Sequence, residues 1–337
     1  MGNSSNSNCR VCAHPFNKIN IVPDGTVWTC CEGHIDFPLG NIFETPFEEI
    51  WYGEAAREIR RMVLAGDYSC CNMRECNMLM CDLRPEWTET PPFPEVVFLS
   101  QSYECNIRCM MCRRKLMVDS AEELAKLNAH ADRLMSCLKN AKTVCMNASG
   151  DPLAGRHCNM LMKRIVAEYP DIRFILHTNG QLFTKEKLEQ LGIYDKVAEV
   201  YISVHAATRE TYEKVCIGAK WERLIPALEL AQRMKAEGRI KRFLMFFTLS
   251  HANYTELPAF VEFAKSCGAS AGTWIYRNWG VQDAWEASEL MVYNSSHRDY
   301  WKLVDVLRDV IRRYPNDIEL QPLMYDIANS ERFVCKL

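Results

Sequence analysis

Three cysteines constrain this chain more than any other feature. Cys105, Cys109 and Cys112 stand at the spacing Cys-x3-Cys-x2-Cys, directly after the apolar run Val96-Val97-Phe98-Leu99. The run predicts the end of a strand, which puts the cysteines on the loop that leaves it. Soft thiolates select iron–sulfur clusters or zinc. A structural zinc site is closed by four protein ligands, and no His or fourth Cys stands near enough in sequence to complete one here. Three thiolates on one loop suit a [4Fe–4S] cluster with one iron left open.

The other cysteines extend the theme. There are 17 in 337 residues, and eight of them precede residue 82. The N-terminal segment has neither a basic region nor an apolar stretch, so it does not read as a signal peptide. Gly2 resembles a myristoylation start, but Asn6 stands where Ser or Thr is required. No apolar stretch approaches the roughly 20 residues that span a bilayer. The expected location is therefore the cytoplasm, where disulfides are rare and clustered cysteines read as metal binding. A net charge of -3 gives no reason to expect nucleic acid or a membrane as partner.

Residues 1–85 are expected to form a small Cys-rich β-hairpin/α unit. Asp24-Gly25, between alternating apolar residues, predicts a hairpin that folds Cys12 and Cys30 toward each other. A helix is expected from Phe47 to Leu64, stopped at Gly66, with Cys70, Cys71, Cys76 and Cys81 after it. Residues 86–95, with Pro91, Pro92 and Pro94, read as a semi-rigid linker. Strand–helix alternation then predicts a parallel α/β unit over 96–290. Its expected strands are Thr143–Asn147, Arg173–His177, Glu199–Val204, Arg242–Leu249 and Gly272–Tyr276, in addition to the run at Val96. Expected helices are Ser120–Leu138, Ala154–Glu168, Leu224–Glu237 and Leu257–Cys267, the last ended by Gly268. Residues 291–337 form a helical extension with a helix over Tyr300–Arg313 that packs across the barrel.

The cluster loop resembles that of the radical S-adenosylmethionine (SAM) enzymes, with Met111 where an aromatic residue is usual. The resemblance covers about residues 96–280 and implies a partial (β/α)6 barrel whose ligands bind at the carboxyl ends of the strands. It implies that Cys105, Cys109 and Cys112 hold a [4Fe–4S] cluster and that SAM binds the open iron. Asn147-Ala-Ser149-Gly150-Asp151 is similar to the family's Gly-Gly-Glu segment, whose backbone holds the SAM amino group. Asn179 and Ser203, at later strand ends, are implied contacts to SAM. Cys216 takes the place of a frequent arginine, so Arg209 is the implied partner of the SAM carboxylate.

The N-terminal unit resembles the SPASM/twitch auxiliary-cluster domain through Cys12-x12-Gly25-x4-Cys30, the Gly40-Asn-Ile42 turn and Ile50-Trp51. It departs in preceding the barrel and in carrying Cys71-x4-Cys76. The implied ligands of at least one auxiliary [4Fe–4S] cluster are Cys12, Cys30, Cys71 and Cys76, with a structural zinc ribbon on the same thiolates as the alternative. The activity implied is reductive cleavage of SAM to a 5′-deoxyadenosyl radical, which takes hydrogen from a substrate C–H bond. Oxidative or epimerising modification of a peptide is the expected reaction, and a sugar or aminocyclitol dehydrogenase or epimerase is the alternative. A non-catalytic electron-transfer protein is the rival from another class. The implied electron donor is a flavodoxin or ferredoxin. Cys216 is open between a core thiol and a hydrogen-atom donor, whereas Cys137, Cys145 and Cys267 are expected in the core. His177 and His205 are expected as satisfied core or rim residues. Arg113-Arg114-Lys115 is expected to start a solvated helix.

Overall fold

A computed structural model describes residues 10–73, 76, 81–82, 90–146, 149–278 and 281–331. Cys9, Pro85 and Asn147 lie outside the described residues, as does the polar start of the chain.

Six parallel strands follow one another from the cluster-bearing end of the chain. They are Val96–Leu99, Thr143–Met146, Arg173–Thr178, Val197–Ser203, Arg242–Leu249 and Ser270–Ile275, each hydrogen-bonded to the next. Helices such as Arg156–Glu168, Trp221–Ala236 and Leu257–Ser266 cross between them. Leu161, Leu228 and Phe260 on these helices are buried against the sheet, and the alternate strand residues Phe174, Val200 and Phe243 meet them. The side chains on the opposite, concave face are only half-buried at Phe98, His177, Tyr201, Phe246 and Trp274. Period-two alternation thus packs one face and leaves the other lining an interior. The α/β fold with a largely parallel sheet is the one the strand–helix alternation predicts.

The N-terminal unit does not stand apart from this sheet. Strand Lys18–Ile21 pairs in parallel with Val96–Leu99, Lys18 opposite Val96 and Ile21 opposite Leu99. Thr26–Trp28 pairs antiparallel with it, and Gly40–Asn41 is added outside, which brings this sheet to nine strands among the described residues. Ile318–Glu319 extends the other edge by pairing in parallel with Ser270–Ile275. The predicted C-terminal helix, Tyr300–Arg313, packs against Leu257–Ser266 and against a last helix, Pro322–Ala328.

Several predicted elements are divided or shifted. The helix expected from Phe47 to Leu64 is two, Phe47–Trp51 and Glu54–Leu64, parted at Tyr52-Gly53. Its second half is held by the buried Arg60, which donates to the carbonyls of Pro15 and Trp51. The helix expected over Ser120–Leu138 also divides, at His130, into Ala121–Ala129 and Ala131–Ser136. A capping box between Ser120 and Glu123 starts it. The first half buries no residue, and Leu124 and Leu127 stay half-exposed, so its apolar stripe is not a core face. His130 turns instead to stack on Phe43 of the N-terminal unit, 4.1 Å between ring centroids. Arg113-Arg114-Lys115 starts no helix. Arg113 donates to the Ser149 carbonyl, and Arg114 pairs with Asp283 and Glu286.

Among the described residues no helix is long and apolar enough to cross a membrane.

The hairpin turn is tightly built. Gly25 has φ +87, and a β-carbon there would meet the Phe43 ring at 2.5 Å and Asn41 Oδ1 at 2.6 Å. Gly25→Ala therefore combines backbone strain with overpacking and is expected to cost about 2–4 kcal/mol. Urea denaturation of the metal-free protein, with an unchanged midpoint for the variant, would disprove this.

Candidate functional site

The cluster loop is fastened before any metal is considered. Ser100 N and Gln101 Nε2 both donate to the Ile21 carbonyl, at 2.9 and 2.7 Å. Glu104 is buried and receives Arg156 Nη2 at 2.6 Å, Arg156 Nε at 2.9 Å and the Arg156 amide at 2.7 Å. Burial alone would raise its pKa, but these charge-assisted bonds and one from the Asp119 amide outweigh it and hold the carboxyl low. The Glu104 carbonyl in turn accepts the Asp151 amide at 2.8 Å. A single carboxylate thus ties the cluster loop to the next strand-end loop.

Cys105 and Cys109 are half-buried and Cys112 is exposed, all three as free thiols. Burial pushes the Cys105 thiol up to about 12, with Asp151, Cys109 and Cys112 adding to the effect. Cys109 is pushed up by its hydrogen bond with Cys216 and by burial. These shifts favour the protonated thiols, so a metal binding here would have to displace the protons. Three cysteines carried on one loop, with no fourth protein ligand beside them in sequence, suit a cluster that keeps one iron open.

The strand-end residues gather around these thiols. Asp151 is buried and accepts from Thr178 Oγ1 at 2.8 Å and from the Asn179 amide at 2.7 Å. Burial raises its pKa against these bonds. Asn179 Nδ2 lies 3.6 Å from Cys105 Sγ and 2.9 Å from Asn106 Oδ1. Gly150 runs against the cluster loop so closely that a β-carbon would fall 2.0 Å from the Glu104 carbonyl oxygen. Ser149 is fastened to Arg113. Ser203 ends its strand in register with Phe246 on the concave face. Arg209, by contrast, is exposed and pairs with Glu213 and with Glu222 at 2.5 Å.

Cys216 stands opposite Cys109 in a short antiparallel pairing, Arg108–Cys109 with Cys216–Ile217. It is 1% exposed, with its sulfur 3.9 Å from the Val204 carbonyl. Cys137 and Cys145 are buried as expected, and Cys267 is half-buried just past its helix. His205 is satisfied, its Nδ1 accepting the Thr248 amide at 2.9 Å from a left-handed backbone, φ 62. His177 is not at the rim. It lies inside the barrel, and its buried Nε2 has no partner among the described residues.

In the N-terminal unit, Cys12, Cys30, Cys71 and Cys76 line one apolar pocket together. The halves meet because Asp36 N donates to the Cys70 carbonyl and Asn72 N to the His34 carbonyl, each at 3.0 Å. Ile59 and Val63 of the intervening helix close the pocket. Burial pushes Cys71 up to about 12, with Cys70, Cys12 and Cys76 contributing. Two histidines that carry no signal in the sequence join these cysteines. Cys30, Cys31 and His34 offer donor atoms all within 4.8 Å of one another, and buried His14 Nδ1 has no partner in the same pocket. Hydrogen bonding to Cys30 lowers the Cys31 thiol, and the charges of Lys18 and Arg277 assist. His14 and His34 line the pocket through the fold of the hairpin, which spacing along the chain does not reveal.

The sequence profile of the radical SAM superfamily matches residues 99–264. That of SPASM, an iron–sulfur cluster-binding domain, matches residues 12–77. No curated protein matches the chain. Among solved structures, Streptococcus suis SuiB bound to precursor peptide SuiA aligns over 79% of this chain and 62% of its own, at 14% identity and TM-score 0.45. Native anSMEcpe with bound AdoMet and Cp18Cys peptide aligns over 67% of this chain and 62% of its own, at 16% identity and TM-score 0.42. TYW1 with a lysine-pyruvate adduct bound aligns over 64% and 73%, at 18% identity and TM-score 0.40. The chain thus spans less than two thirds of SuiB and of anSMEcpe.

The contact at Gly150 is decisive for the loop. Gly150→Ala is expected to push the cluster loop from its seat and weaken SAM binding about tenfold, the equivalent of ~1.4 kcal/mol. Calorimetric titration of the reconstituted protein with SAM checks it, and undiminished affinity would show that the close approach is unimportant.

Proposed function

This chain belongs to the radical SAM superfamily and carries an N-terminal SPASM domain, and from that premise we propose oxidative modification of a peptide at an unactivated C–H bond. The cluster, when bound at Cys105, Cys109 and Cys112, supplies the electron that splits SAM into methionine and a 5′-deoxyadenosyl radical, which takes the hydrogen. The observation that carries the proposal is the loop of Cys105, Cys109 and Cys112 held against the adjoining strand ends, with Asn179 on Cys105, Asp151 beneath Asn179 and the Gly150 backbone against Glu104.

In this proposal the chain's own groups position and exclude. Gly150, with no side chain, lets backbone polar groups near Ser149 approach the SAM amino group. Asn179 would orient Cys105, the ligand its amide approaches at 3.6 Å. Asp151 fixes Asn179 from beneath. Ser203 offers a hydroxyl to the ribose from the concave face. Arg209 would have to leave Glu213 and Glu222 to reach a carboxylate. Cys12, Cys30, Cys71 and Cys76 would hold the auxiliary cluster, and His14 and His34 in or beside their pocket would tune it through hydrogen bonds. A fully ligated auxiliary cluster suits acceptance of the second electron of an oxidation. The N-terminal 85 residues and the barrel act as two functional parts of one sheet. A flavodoxin or ferredoxin is the proposed electron donor, and the cytoplasm the proposed location.

Epimerisation is the second reading, favoured by one observation. Cys216 sits directly across from Cys109, so a thiol lies beside the cluster loop. It would return a hydrogen atom to the substrate radical.

Replacing Cys105, Cys109 and Cys112 together with Ala should abolish 5′-deoxyadenosine release under dithionite while auxiliary iron remains. If the triple variant still cleaves SAM, the proposal fails. Single replacement of Cys12, Cys30, Cys71 or Cys76 should lower cluster content, keep SAM cleavage and stop the oxidised product. Formation of that product at the wild-type rate would remove the auxiliary cluster from the reaction.

A further inference from the structure

The interior of the barrel holds a cation that no carboxylate of the described residues answers. Lys18 is 6% exposed, and its ammonium lies 4.0 Å from the centroid of the Phe98 ring. Alternation along Lys18–Ile21 sends Ile19 and Ile21 into the core and puts Lys18 and Asn20 on the concave face with Phe98. Trp28 pairs with Asn20 and so shares that face.

Polar atoms around this cation are also unsatisfied. Asn20 Oδ1, Trp28 Nε1 and His177 Nε2 are buried and have no hydrogen-bond partner among the described residues. Each such atom costs on the order of 1–3 kcal/mol when left unpaired. A buried ammonium set over a ring face with no carboxylate partner among the described residues costs more. Folding does not leave the Lys18 ammonium, Trp28 Nε1 and His177 Nε2 together on one face without an acceptor to meet them, and Asn20 Oδ1 beside them awaits a donor on the same ligand.

The neighbourhood defines the ligand. His177 lies 4.5 Å from Tyr201 and Phe246 6.1 Å from Trp274, ring centre to ring centre, which makes an aromatic wall. Burial, with the charges of Lys18 and Arg242, lowers His177 to about 3, so its ring is neutral and brings no competing charge. The charge of Lys18 also reaches Cys31 and His34, which places the ammonium at the seam between barrel and N-terminal unit. A compact anion with hydrogen-bond acceptors satisfies Lys18 and, through the neutral imidazole, His177. A cation or an unfunctionalised hydrocarbon satisfies neither.

We propose that Lys18, with Asn20 and His177 beside it, receives a carboxylate of the substrate inside the barrel, against the aromatic wall. The proposal rests on the barrel interior being the reaction chamber of the function proposed above, and it narrows the substrate class to acids. Lys18 is then a specificity-determining residue contributed by the SPASM half of the chain.

The test uses matched acid and amide probes on the anaerobically reconstituted holoenzyme, with binding followed by ligand-detected NMR. Benzoate should bind about tenfold or more tightly than benzamide. Lys18→Met should erase the difference, and Lys18→Arg should keep most of it. A second pair, N-acetyl-glutamate N-methylamide and its glutamine counterpart, distinguishes the source. Discrimination within it points to an acidic side chain of a peptide, and discrimination only by benzoate points to a free acid. Equal binding of acid and amide, no binding of either acid, or a preference that survives Lys18→Met would overturn the proposal. A changed auxiliary-cluster spectrum in Lys18→Met with the preference intact would also overturn it and make Lys18 a counter-charge to that cluster. Release of 5′-deoxyadenosine by the wild type, measured without probes, reports separately on the proposed function.

Discussion

The parallel pairing of Lys18–Ile21 with Val96–Leu99 is the contact on which the rest of this structure depends. It joins two segments about eighty residues apart and makes the hairpin of the N-terminal unit a continuation of the barrel sheet. Parallel pairing needs a long crossover, which the helices Phe47–Trp51 and Glu54–Leu64 and the Pro-containing stretch supply. The pairing also seats the cluster loop, since the Ile21 carbonyl accepts from Ser100 and Gln101 at the root of that loop. One strand pairing therefore sets the distance between the two cysteine-bearing regions.

Around that seam the molecule places charges economically. Glu104 binds Arg156 three times and, through its carbonyl, Asp151. Asp151 then holds Thr178 and Asn179, so one buried chain of hydrogen bonds runs across successive strand ends. Such a network rigidifies the loops that carry the thiols, because every member would be costly to leave unpaired. On the concave face the opposite holds. Asn20 Oδ1 and His177 Nε2 are buried without such partners among the described residues, beside the buried Lys18.

The domain division drawn from composition is a division of chemistry more than of architecture. The Pro-containing stretch does separate a Cys-rich segment from an alternating strand–helix segment. The two nevertheless share one sheet, and stacking of His130 on Phe43 and of His34 near Trp274 binds them further. The apolar stripe of Leu124 and Leu127 misled for a related reason. Periodicity reports which side chains share a helix face, but whether that face is covered depends on what packs there.

What the sequence determined by itself was local. Cys105, Cys109 and Cys112 lie within eight residues, so their convergence on one loop follows from chain connectivity. The order of the six strands and the turn at Asp24-Gly25 were legible for the same reason, since period and turn chemistry act over short separations. Only the tertiary structure decided which distant groups meet. His34 beside Cys30 and Cys31, Cys216 opposite Cys109 and Lys18 over Phe98 all depend on strand pairings between remote segments. Register decides such contacts, because a shift of one residue would turn Lys18 to the other face of the sheet, and spacing along the chain carries no record of register.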